Sequence, residues 1–149
     1  MMAAPTGVTI LDARKVPTAM DTLKKGKQPP EIPGAKRAWW ADFVDGSQQG
    51  RLDSDLQRLS ARITALGVCA ERPVVVYGEW GTGWGEEGRI YWMLKYLNHT
   101  RVSVLYGGIW GWTKEVGGAA IAAVPQGTCA QPFAAAAIDD DRTSVIPTR

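Results

Sequence analysis

A chain of 149 residues is long enough for one domain with its own core, without help from metal or disulfides. Its 45% hydrophobic and 21% charged residues are those of an ordinary globular protein, and a net charge of +2 is too small to argue for nucleic acid or an acidic membrane. No run approaches about 18 consecutive apolar residues, so no transmembrane segment is expected.

Val8-Thr9-Ile10-Leu11 reads as a short strand ending at Asp12-Ala13-Arg14. Residues 15–34 hold Pro17, Pro29, Pro30 and Pro33 and read as loop, with room for a short helix near 18–24. The Lys24-Lys25-Gly26-Lys27 cluster within it is expected to be solvated. Ala38-Trp39-Trp40 suits a second short strand. Leu52, Leu56, Leu59, Ile63 and Leu66 then step by four and three, one face of a helix that Gly67 closes.

Val74-Val75-Val76-Tyr77 has the unbroken β-branched pattern of a central parallel strand buried on both faces. Ile90, Met93, Leu94 and Leu97 mark the next helix, with Glu86 and Glu87 at its electrostatically favourable N-terminal end. Residues 102–106 form another strand, closed by Gly107-Gly108. The alternation of strand and helix predicts a right-handed α/β unit with a parallel sheet. Beyond Trp112 the chain is rich in Gly and Ala, and residues 117–149 read as an extended tail or covering segment.

The most informative stretch follows residue 77. Gly78-Glu79-Trp80-Gly81-Thr82-Gly83-Trp84-Gly85 joins a strand to a helix, the kind of junction whose amides stabilise anions and nucleophiles. Residues 83–88 satisfy GxGxxG literally. The first glycine comes six residues after Tyr77, however, and no acidic residue lies about twenty positions on, as a dinucleotide site requires. No Gly-Lys-Ser/Thr makes a phosphate loop, and no serine makes a nucleophile elbow. Thr82 has no base nearby and reads as a turn residue. Glu79 reads as a solvated turn carboxylate, and His99, the only histidine, reads as a helix cap.

Cys69 and Cys129 carry no CxxC and no neighbouring histidine, which removes a zinc site, and no other metal or cofactor is expected. They are compatible with a disulfide or with two thiols; free thiols in a reducing compartment are expected. Met1-Met2-Ala3-Ala4-Pro5 lacks the regions of a signal peptide, which points to a soluble intracellular protein. Seven tryptophans exceed what one small core needs, so some are expected at a pocket or interface.

Several motifs in order resemble the rhodanese (sulfurtransferase) family. Leu11-Asp12-Ala13-Arg14 is similar to its opening strand signature, and Glu31-Ile32-Pro33-Gly34-Ala35 resembles a His-Ile-Pro-Gly-Ala motif with Glu31 in the histidine's place. Arg89-Ile90-Tyr91-Trp92 resembles the helix after the active-site loop, and residues 104–112, with Gly107, Gly108 and Trp112, resemble the closing Val-Leu-Asp-Gly-Gly segment. The resemblance implies a three-layer fold over residues 1–116, with a mostly parallel five-stranded sheet and helices on both faces. It is nearest to the non-catalytic N-terminal half of tandem sulfurtransferases. Gly78 occupies the position of the family's catalytic cysteine, so the loop formed by Gly78, Glu79, Trp80, Gly81, Thr82, Gly83, Trp84 and Arg89 is expected to bind rather than to react. A protein partner within a multi-subunit assembly is the leading expectation. A sulfurtransferase that works with a second cysteine-bearing chain, or through Cys129 folded back to the loop, is the alternative.

Overall fold

The computed structural model describes residues 7–81, 84–116 and 129–136. Four strands, β1 (Thr9–Asp12), β2 (Lys36–Arg37), β3 (Val74–Tyr77) and β4 (Val102–Val104), form one sheet in the order β2-β1-β3-β4, and every pair is parallel. The helices are α1 (Ala19–Lys25), α2 (Leu56–Ala65), α3 (Glu86–Tyr96) and α4 (Gly108–Val116).

Side chains alternate across a strand, and the two cores follow that alternation. Leu11, Val74 and Val76 face Leu59 and Ile63 of α2 and Ile90, Met93 and Leu94 of α3. Tyr77 turns to the other face, where it meets Ile32, Ile109 of α4 and half-buried Ile10, Leu105 and Trp112. Helices therefore flank the sheet on both sides. Truncating a fully buried leucine such as Leu59 or Leu94 to alanine costs about 2–5 kcal/mol at such positions.

Several expectations are corrected. The sheet has four strands among the described residues, not five. The strand expected at Ala38-Trp39-Trp40 lies earlier, at Lys36–Arg37, because its partner β1 ends at Asp12; Trp40–Phe43 then coils into a 3-10 turn. Helix α2 starts after Asp55, whose carboxylate accepts from the amides of Gln57 and Arg58 at 3.1 Å, while Leu52 lies outside it and bridges Val44. Helix α4 has no sequence signature, since Gly108-Ile109-Trp110-Gly111 has poor helix propensity; burial of Ile109 supports it.

The cysteines are not free thiols. Cys69 and Cys129 form a disulfide with Cα atoms 5.4 Å apart. The segment 129–136 packs back onto the core: Phe133 is buried against it, Ala70 N–H donates to Gln131 O at 3.1 Å, and Ala135 N–H donates to Ser60 Oγ at 2.9 Å. This join sits at the N-terminal end of the strands, across the length of β3 from Gly78.

Candidate functional site

Strand β1 leads to β2 on one side and β3 leads to β4 on the other, so the chain diverges where β1 and β3 end. Open parallel sheets bind ligands in the crevice outside such a divergence. A cleft of about 480 Å³ lies there, lined by Arg14, Lys15, Lys25, Lys27, Gln28, Trp39, Glu79, Trp84, Glu86 and Trp110 among others.

Its floor is rigid. The Arg14 guanidinium is buried and donates to both carboxylate oxygens of Asp12, at 3.0 and 2.7 Å, and to Pro29 O at 3.0 Å. Burial alone would lower the Arg14 pKa, but hydrogen bonds and charge from Asp12 raise it overall, so the group stays cationic. Tyr77 Oη donates to Asp12 at 2.8 Å and accepts from Ile32 N–H at 3.1 Å. Burial, with the Asp12 charge added to it, pushes the phenol well above its ordinary value and keeps it protonated. Arg37 closes the network by bridging Asp12 at 3.4 Å and Glu31 at 2.7 Å. Glu31 thus serves as an ion-pair partner. Pro33 and Gly34 make the turn before β2, in which Ala35 N–H donates to Ile32 O and Gly34 takes φ 86°.

The turn after β3 is built by close backbone approach. Gly78 O accepts from Ile109 N–H at 3.0 Å. A β-carbon on Gly108, whose φ is +54°, would come within 2.5 Å of Gly78 O, so only glycine fits there. Gly107 also has a positive φ and lies against Gly111. A β-carbon on Gly78 would overlap the Glu87 carboxylate. Glu87 therefore fills the space that a nucleophile side chain at position 78 would need.

Trp80 has φ 38°, rare for a bulky residue, and its ring packs against Tyr106 in a tilted arrangement with centroids 4.9 Å apart. Trp84 is 95% exposed, Tyr106 84% and Trp110 50%, so aromatic surface is concentrated near the cleft mouth.

The expected site residues are thus only partly brought together. Glu79 and Trp84 line the cleft, Gly78 lies behind them, and Gly81 turns in solvent with φ 84°. Arg89 lies apart, stacked over Trp40 at 4.1 Å and donating to Gly50 O. Trp112 packs in the second core cluster. Thr82 and Gly83 fall outside the described residues, as do most residues of the expected tail. Cys129 is tied to Cys69 at the other end of the sheet, which rules out the thiol folded back to the loop. Lys25 and Lys27, expected in a solvated loop, line the cleft, as do Lys15, Gln28, Trp39 and Trp110, which carry no local signal in the sequence. Their signal lies in topology, because the β1–β2 and β3–α3 connections meet at the divergence of the sheet.

The described lining holds no thiol, hydroxyl or imidazole; its side-chain groups are ammonium, guanidinium, carboxylate, amide and indole. No group of three or more His, Cys, Asp or Glu residues with metal-binding proximity occurs among the described residues, and no described helix is long and apolar enough to cross a membrane.

No protein-family model matches the sequence, and no curated protein matches it either. Solved structures do. The chain is similar to the 3-mercaptopyruvate sulfurtransferase SseA from Escherichia coli, a "rhodanese" fold, with TM-score 0.59, 23% identity and 89% of this chain covered. It is also similar to YnjE, with TM-score 0.52, 20% identity and 89% coverage. The chain spans 50% of the length of the first and 28% of the second. With these neighbours and this sheet, the chain is a rhodanese-like domain in fold.

Proposed function

We propose that this domain binds a protein partner at the C-terminal end of its sheet and does not itself carry sulfur. One observation bears most of the weight: Gly78 supplies no side chain, and the Glu87 carboxylate occupies the space beside it. Persulfide chemistry needs a thiolate held at the loop amides. The described lining offers none, and both cysteines are consumed by a disulfide elsewhere.

What the loop retains is shape and aromatic surface. Trp84, Tyr106 and Trp110 are exposed in quantities that a solitary domain does not need, and large amphipathic rings dominate the energetics of partner recognition. The test is a pull-down from the native source with wild type and with the Trp84→Ala, Trp110→Ala double variant. Specific partners that disappear with the two indoles support the reading, whereas a monomer that returns nothing removes it.

A second reading has its own support. The chain spans half of the length of SseA, so a cysteine-bearing second domain or chain could complete a sulfurtransferase with this one. Turnover of thiosulfate or 3-mercaptopyruvate by the isolated chain contradicts the binding reading. Turnover that appears only when a captured partner is added favours the second.

A further inference from the structure

The cleft lining carries two sets of charges; Asp21 also lines the lysine side and interacts electrostatically with Lys15 and Lys25, but it holds neither in a close ion pair. Lys15, Lys25 and Lys27 belong to the connection between β1 and β2, and Glu79 and Glu86 to the connection between β3 and α3. These connections leave neighbouring strands in opposite directions, so they form separate walls. Among the described residues none of the five side chains joins an ion pair. Glu86 accepts only the Trp84 N–H, at 3.1 Å.

Two further features belong to the same cleft. Trp84 and Trp110 add exposed indole faces, which attract ammonium groups and cover apolar ones. Gln28 Nε2 donates to Lys15 O at 3.4 Å, while Gln28 Oε1 is buried with no hydrogen-bond partner and leaves an acceptor unfilled.

A simple anion would gain from the lysines and lose to the glutamates, and a simple cation would do the reverse. A ligand carrying both charges satisfies both walls. The volume of about 480 Å³ falls in the range of small-molecule sites.

We propose that this cleft binds a small zwitterion of the α-amino-acid class. Its ammonium lies toward Glu79 and Glu86 beside the indoles, its carboxylate toward Lys25 and Lys27, and its side chain against Trp84 and Trp110. The proposal shares Trp84 and Trp110 with the protein-binding reading, and the two are told apart by the charge variants and the singly charged analogues, which bear on the ligand alone.

The test titrates the full chain with L-phenylalanine and with two analogues that each lack one charge, phenethylamine and 3-phenylpropionate. The indole N–H resonances of the tryptophans are followed by NMR. The expected result is saturable shifts of Trp84 and Trp110 but not of Trp92, with L-phenylalanine at least about fivefold tighter than either analogue. Glu79→Gln with Glu86→Gln should weaken L-phenylalanine and phenethylamine while sparing 3-phenylpropionate. Lys25→Gln with Lys27→Gln should spare phenethylamine and weaken the other two. Equal binding of all three probes, preference for a singly charged analogue, or no saturable shift up to about 20 mM L-phenylalanine would overturn the proposal.

Discussion

The two ends of the parallel sheet are built to opposite standards. At the N-terminal end the buried polar groups are largely tied to one another: Thr9 Oγ donates to Gly67 O, His99 Nδ1 accepts from Arg101 N–H, and His99 Nε2 bonds Cys69 O, with Glu71 Oε2 the buried exception among the described residues. Phe133 seals that end and the disulfide locks it. At the C-terminal end only the floor is tied, through Asp12, Arg14 and Tyr77. The rim above it keeps unpaired charges, exposed indoles and a tryptophan at positive φ. The contrast separates the part of the molecule tied by its own contacts from the part that keeps exposed charge and aromatic surface, where the proposed binding is placed.

Breaking the finished end should cost the most. The disulfide closes a separation of 60 residues, and its loss by Cys69→Ser with Cys129→Ser should cost about 4 kcal/mol in chemical denaturation under oxidising conditions. Asp12→Ala attacks the one finished part of the other end. It leaves the Arg14 guanidinium buried with only Pro29 O and strips Tyr77 Oη of its acceptor, for a loss of about 3 kcal/mol by the same measurement.

Smaller effects sharpen the comparison at the rim. Gly78→Ala should cost about 1 kcal/mol because its β-carbon meets the Glu87 carboxylate, and Glu87→Ala in the same chain should recover much of that loss in a double-mutant cycle. Trp84→Ala should change stability by less than about 0.5 kcal/mol, since the side chain is exposed, yet it should weaken partner capture.

One pH-dependent contribution belongs to the finished end. Burial, the largest cause, lowers the His99 pKa below the ordinary 6.5, so the unfolded chain takes up the proton more readily. This part of the stability is fully present above pH 6.5 and is lost as pH falls toward the folded pKa. The thermal midpoint should therefore fall on acidification below that value, and His99→Gln should flatten the fall.

Much of the finished architecture was legible in the sequence, because burial imposes a pattern. The valines of β3 and the four-and-three spacing of α2 and α3 could serve no other period. The pairing of Cys69 with Cys129 was not legible, since two cysteines far apart carry no spacing signal until the segment 129–136 is seen folding back. Helix α4 was hidden by its glycines, of which Gly108 is needed for close approach to Gly78 and Gly111 lies against Tyr106 O. At the cleft, the loop residues Glu79 and Trp84 stood out, but Lys25 and Lys27 did not. Their role depends on two connections meeting at the divergence of β1 and β3, a property of topology and not of any local stretch.

The central proposal is that this rhodanese-like fold, with Gly78 after β3 and the Glu87 carboxylate beside it, binds a partner and does not itself carry sulfur. Intact-mass measurement of the wild-type chain, after incubation with thiosulfate or 3-mercaptopyruvate and without reductant, tests it most directly. The expected result is an unchanged mass and no product formed on adding an acceptor. A stable gain of one sulfur atom, accompanied by turnover, would contradict it.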